Sequence, residues 1–246
     1  MTKYKLNKYI VIFVAALLSV AGSVSAERRV WSLADGTTFE AELMTVFATE
    51  AVFKNARGSV HKIPLNLFSP ESLNRIELEN PPKLSFDFIK SEDSIVFPAG
   101  VNEATQRPSE ERCHYGIRIK QKSSGNYKHE LHVELFVIGK ERYGDKLILL
   151  DRQETSFFLT AENKKEFEFR SKREVALQNY EVEGHIRGER YHGYLAVVKD
   201  ERGEVIEVDT SHDYLYENIK ALRERYVGNF MDETCVRVFP TRPDVL

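Results

Sequence analysis

Alternation of apolar and polar residues with a period of two runs through most of this chain and predicts β-strands. Phe39, Ala41 and Leu43 point one way and Thr38, Glu40 and Glu42 the other. Ala34-Asp35-Gly36-Thr37 precedes them and turns the chain back on Val30 and Trp31, because Asp-Gly supplies the positive φ that a tight hairpin needs. Further strands are predicted near Glu50–Lys54 and over Ser59–Leu65, where Pro64 donates no N–H and so marks an edge or an end. Ser69-Pro70-Glu71 opens a short helix whose Leu73, Ile76 and Leu78 can cover the module. Residues 27–80 thus read as a small β-barrel. Glu77–Lys83 is a boundary stiffened by Pro81-Pro82.

The alternation resumes at Leu84, Phe86 and Phe88, followed by a short edge segment Ile95–Pro98 and a polar loop Val101–Arg112. Cys113, Tyr115, Ile117 and Ile119 form one inward stripe, and Leu131, Val133, Leu135 and Val137 another. Leu147–Leu150 is apolar throughout, as a strand covered on both faces would be. Thr155–Thr160, Phe167–Phe169 and a hairpin of Tyr191–Lys199 with Glu204–Asp209 follow, and Thr234–Phe239 closes the set. Short strands with polar turns at this spacing predict an antiparallel β-sandwich-like domain over residues 83–246. One amphipathic helix is predicted at about residues 212–227, where Leu215, Ile219, Leu222 and Tyr226 recur at helical spacing. The predicted fold class is therefore mainly β.

The first module has a family resemblance. Trp31, Asp35, Gly36, Phe39, Ala41, Leu43, Gly58, Ile63, Pro64, Leu65 and Leu67 fall in the order seen in the SHD1 module, the SLA1 homology domain 1, and residues 28–78 resemble it. The resemblance implies a short SH3-like barrel. In an endocytic adaptor that module binds an Asn-Pro-Phe-based peptide, and related copies occur in secreted planctomycete- and verrucomicrobial-type bacterial proteins. The matched positions are core and turn residues, so they carry the fold across.

Charge adds an address. Lys3, Lys5 and Lys8 precede an apolar stretch, Tyr9–Ala21, and Val24-Ser25-Ala26 offers small residues for cleavage between Ala26 and Glu27. Residues 1–26 read as a secretory signal peptide. The apolar core is shorter than the ~20 residues of a membrane span, which argues against an uncleaved membrane anchor, and no stable membrane span is expected after cleavage. The expected localisation is exported, periplasmic or extracellular. The formal net charge of −3 becomes three charges more negative without those lysines, which argues against nucleic acid.

Candidate chemistry is sparse. The two cysteines, Cys113 and Cys235, are in an exported chain either a possible disulfide or two buried thiols. Seven histidines do not converge: His129 and His132 would face apart on a strand, His185 and His192 could meet across a hairpin, and His212 lies near Asp209 and Asp213. No metal and no cofactor is expected, and no nucleophile–base motif marks an enzyme. Tyr180, Tyr191, Tyr194, Tyr214 and Tyr216 offer contact area for a peptide or sugar, or line the core. Trp31 is either a ligand platform or a barrel plug. Trp31, Asp35 and Phe53 are the candidate binding residues, since SH3-like barrels hold extended ligands in aromatic-lined grooves. The expected function is a non-enzymatic binding or scaffolding protein of the bacterial envelope, whose partner is a protein or peptide segment or an envelope polysaccharide. The alternative is a carbohydrate-binding or hydrolytic accessory protein with its site on the C-terminal domain.

Overall fold

The computed structural model describes residues 28–47, 49–97, 108–123, 125, 127–182 and 184–241. The predicted signal peptide, its cleavage site at Ala26 and Glu27, and residues 101–107 of the predicted loop lie outside them. The architecture is mainly β, with one four-stranded and one nine-stranded antiparallel sheet. Among the described residues no helix is long and apolar enough to cross a membrane. The chain divides into two compact units, Met1–Ile76 and Glu77–Leu246. The division falls before the proline pair because Glu77 and Leu78 already belong to the large unit. His129 Nε2 lies 3.8 Å from the Glu77 carboxylate, and Arg202 Nη2 donates to the Leu78 carbonyl at 2.8 Å.

In the small unit, β1 (Arg29–Ser32), β2 (Thr38–Phe47), β3 (Glu50–Lys54) and β4 (Val60–Pro64) form a meander in chain order. The expected barrel is not closed by strand pairing. After a 3-10 turn at Leu65–Leu67 the chain returns beside β1 with only a Leu33–Phe68 bridge and two flanking backbone bonds, Ala34 N–H to Leu67 O at 2.8 Å and Ser69 N–H to Ser32 O at 3.0 Å. Helix α1 (Pro70–Glu79) starts where Ser69 Oγ accepts the Ser72 N–H at 3.2 Å, and Ser72 Oγ in turn accepts the Ser32 N–H at 2.9 Å. Trp31, Ala41, Ala51, Phe53, Phe68 and Ile76 make the core, with Leu73 packed against it. Leu78 is not part of that cluster.

The large unit places β5 (Leu84–Val96), β6 (Ser109–Gln121), β9 (Glu166–Arg170) and β10 (Val175–Val182) in one group. A second group holds β7 (Leu131–Glu141), β8 (Leu147–Phe157), β11 (His185–Asp200), β12 (Val205–Thr210) and β13 (Phe230–Met231). The groups join through the β10–β11 hairpin, where Asn179–Val182 pair with His185–Gly188. Cys113, Tyr115, Ile117 and Ile119 from the first group pack with Leu131, Val133, Leu135, Val137, Ala196 and Val198 from the second, so the two groups face each other. The other face of the second group is also covered. Phe136, Ile138, Leu147, Leu149, Leu195 and Val197 pack there against Leu215 and Leu222 of helices α2 (Asp213–Glu217) and α3 (Ile219–Arg223), with Met231 and Cys235. Strands buried on both faces are why Leu147–Leu150 is continuously apolar.

Four expectations change. The single helix is two short ones, because at Asn218 the backbone leaves the helical region (φ −103°, ψ 22°) and its side-chain amide donates to the Tyr214 carbonyl at 2.9 Å. The polar residues 109–112 are the start of β6, recruited by pairing with β5 and β10. Ile95 and Val96 continue β5 instead of forming a separate segment. The final strand is Phe230–Met231, with residue 237 contributing one bridge. A strand at Val175–Val182 had no clear signal, since its outward positions alternate with only Val175 and Leu177 buried.

Candidate functional site

Among the described residues, two grooves and one side-chain cluster gather polar side chains. In the small unit a groove of about 370 Å³ has an apolar lining of Phe39, Ala41, Phe53 and Ile63 and a polar lining of Glu40, Asn55, His61 and Lys62. Asn55 Oδ1 accepts the backbone N–H groups of Arg57 and Ser59 at 2.9 and 3.0 Å, which fixes the β3–β4 turn, while its amide lies 3.2 Å from His61 Nε2. Trp31 does not reach this groove as a platform. Its ring is buried, 5.1 Å edge-on to Phe53, and its Nε1 donates to the Ala41 carbonyl at 2.9 Å. Phe53 is 1% exposed and serves as groove wall and core together. Asp35 is exposed in the β1–β2 turn. Its carboxylate accepts the Thr37 N–H at 2.8 Å, and that bond lowers its pKa. These three residues are thus not brought to one surface.

The large unit carries a polar groove of about 440 Å³ on the helix-bearing side of the second strand group, lined by His132, Glu134, Glu154, Ser156, Lys199 and Glu201 among others. Strand register places them together: His132 lies opposite Ser156 and Lys199, and Glu134 opposite Glu154. Glu134 Oε2 accepts from Arg223 Nη2 at 2.5 Å and Lys199 Nζ at 3.1 Å. Burial alone would raise the Glu134 pKa, but the two cations outweigh it and hold it below the ordinary value. Its folded-state pKa therefore lies below the unfolded one. The stability it contributes is complete above the unfolded value and is lost as pH falls through the folded value. Glu134→Gln is expected to cost about 1–3 kcal/mol at neutral pH, the range for removing a charged hydrogen-bond partner. Urea midpoints of the two proteins should converge as pH drops from about 6 to about 2; a gap that stays constant would refute the assignment. Ser156 Oγ lies 2.7 Å from His132 Nδ1, and His132 Nε2 3.7 Å from Glu130, but the His132 and Glu130 side chains are 43% and 40% exposed. Water is not kept from the serine, and burial does not activate it.

The tyrosines divide. Tyr191 and Tyr194 pack against the inter-sheet core although a spacing of three puts strand residues on opposite faces; a bulge between Tyr191 and Gly193 resets the alternation. Phe88 stacks on Tyr194 at 4.3 Å and on Tyr191 at 5.5 Å, and Tyr194 OH donates to Asp209. Tyr214 bonds His192 at 3.0 Å, and His192 stacks on His212 at 4.4 Å. His212 therefore meets an imidazole and, 5.4 Å away, the Tyr214 ring. His185 and His192 lie on the same strand, with His185 4.8 Å from the Tyr143 ring. Tyr180 and Tyr216 are exposed.

The cysteines are free and buried. Cys113 lies in the inter-sheet core and Cys235 in the core beneath the helices, on opposite sides of the second strand group, whereas a disulfide needs Cα atoms within about 7 Å. Cys113 instead meets two carboxylates. Its cross-strand partner is Glu92, and Glu111 lies two residues before it on the same face of β6; one ligand atom from each of the three lies within 4.8 Å of the others. Nothing in the sequence signals this group, since Glu92 and Cys113 meet only through the β5–β6 register.

No protein-family model, curated protein or solved structure matches this chain.

Proposed function

We propose that this chain is an exported, non-enzymatic binding or scaffolding protein of the bacterial envelope that holds an extended peptide segment in the groove of its small unit. The observation that carries the reading is the groove between β2, β3 and β4: an apolar lining of Phe39, Phe53 and Ile63 beside a polar lining of Asn55, His61 and Lys62. Such a surface receives alternate apolar side chains of an extended ligand and leaves polar groups for its backbone. The resemblance of residues 28–78 to the SHD1 module and the basic–apolar–small pattern of residues 1–26 support the same reading. The test presents the chain with a library of extended peptides and maps a binder by amide chemical shifts. Shifts should cluster on β2, β3 and β4, and Lys62→Glu with His61→Ala should weaken binding about fivefold or more, the effect of about 1 kcal/mol at a contact residue. Shifts confined to the large unit would overturn the reading.

The second reading is a carbohydrate-binding or hydrolytic accessory site on the large unit. The polar groove around Glu134, Glu154, His132 and Ser156 favours it. Oligosaccharide-induced shifts on β7 and β8 would replace the first reading with this one.

A further inference from the structure

The β5–β6 ladder assembles a donor set that neither reading above uses. Glu92 is exposed, Glu111 half-buried and Cys113 fully buried, so the three descend from solvent to the end of the inter-sheet core. Below Cys113 lies Tyr115, also fully buried, whose hydroxyl adjoins the thiol and makes no hydrogen bond of ordinary geometry. A buried hydroxyl without a partner is costly. Its oxygen lone pairs lie beside three convergent donors, where a cation would give them a partner.

We propose that Glu92, Glu111 and Cys113 bind one borderline-soft divalent cation of the zinc type, with the Tyr115 hydroxyl as a neighbouring oxygen donor. A tetrahedral zinc ion holds sulfur at about 2.3 Å and carboxylate oxygen at about 2.0–2.2 Å, which sets its ligands roughly 3.5 Å apart. Donor atoms already within 4.8 Å of one another need only side-chain rotation to reach that geometry. The thiolate selects against magnesium and calcium, which prefer all-oxygen shells.

Two cations now neutralise the carboxylates. Lys90 pairs with Glu92, and Arg142 Nη2 lies 3.3 Å from Glu111 Oε1. Lys90 is the competitor for the site. Its flexible stem can withdraw the ammonium toward the Tyr191 ring, whose centre lies 5.6 Å from it. Binding then exchanges charge for charge: the thiol gives its proton to solvent, the sulfur lone pair forms the metal bond, and no electron is transferred.

The test titrates the full-length reduced protein with zinc chloride in a calorimeter, and with cobalt(II) chloride in a spectrophotometer, where thiolate ligation gives a near-ultraviolet charge-transfer band. One ion per chain, about one proton released, and the cobalt band are expected. Cys113→Ser should abolish the band and Cys235→Ser should leave it. Glu92→Gln, at an exposed position that should not disturb folding, should weaken zinc affinity at least tenfold. Lys90→Met should strengthen it. Absence of the cobalt band, a band that survives Cys113→Ser, or an affinity indifferent to both Glu92→Gln and Lys90→Met would overturn the proposal.

Discussion

Phe53→Ala is expected to unfold the small unit and leave the large one folded. Phe53 lies at the centre of an aromatic group, with ring centres 5.1 Å from Trp31, 5.3 Å from Phe39 and 5.5 Å from Phe68. Truncating a buried Phe costs about 3–5 kcal/mol, through lost transfer energy and the cavity left behind. A unit with some fifty ordered residues has about 2.5–7.5 kcal/mol in total, so a loss of this size takes from about half to all of its stability. Trp31 is the chain's single tryptophan and lies in this core, so its emission reports the small unit alone. The emission should shift to the red in Phe53→Ala without denaturant, while near-ultraviolet tyrosine dichroism, dominated by the large unit, persists. Val30→Ala, at an exposed position next to Trp31 on β1, should leave the emission unchanged. A native emission maximum in Phe53→Ala would show that the aromatic group does not hold the unit together.

Gly188→Ala should be the most damaging small substitution in the large unit. Gly188 pairs with Asn179 at the seam between the two strand groups and has φ +103°. A Cβ there would lie 1.8 Å from the Gln178 carbonyl oxygen and 2.6 Å from its carbon, both backbone atoms with no rotamer to yield. The left-handed conformation alone costs about 1–3 kcal/mol for a residue with a side chain. Forced separation of the strands adds about 1–3 kcal/mol more, so the expected loss is about 2–6 kcal/mol, read from the urea midpoint of the tyrosine signal. Gly184→Ala, in the same hairpin at φ +78° but with no atom within 4 Å of the new Cβ, isolates the conformational part. It should lose only the conformational part, about 1–3 kcal/mol. Equal losses in the two variants would show that the close approach at the seam is not what requires glycine.

The two units carry different kinds of information. In the small unit the elements are local: each strand pairs with the next in sequence, and the turns hold their own signals in Asp35-Gly36 and Asn55–Gly58. The strand at Glu50–Lys54, the helix start at Ser69-Pro70 and the inward stripe of β6 follow from alternation and turn chemistry alone. They hold because a half-buried strand must present one apolar face. Trp31 and Phe53 were legible as important aromatics. Their burial was not, because the same residue type suits a groove and a core equally well.

Alternation along the chain fixes which residues face inward, and with them the mainly-β class and two of the three cores. Tertiary structure alone decided what those faces meet. Pairing between distant strands brought Glu92 to Cys113 and separated Cys113 from Cys235 by a full layer of strands. A bulge turned Tyr191 and Tyr194 to one side, and docking of α2 and α3 covered the second face of the central strands. The physical reason is that a strand's period of two is a property of its own backbone. Its register, its bulges and the layer laid over it are set by the whole fold at once, where the choice that buries the most apolar surface with its polar groups paired prevails.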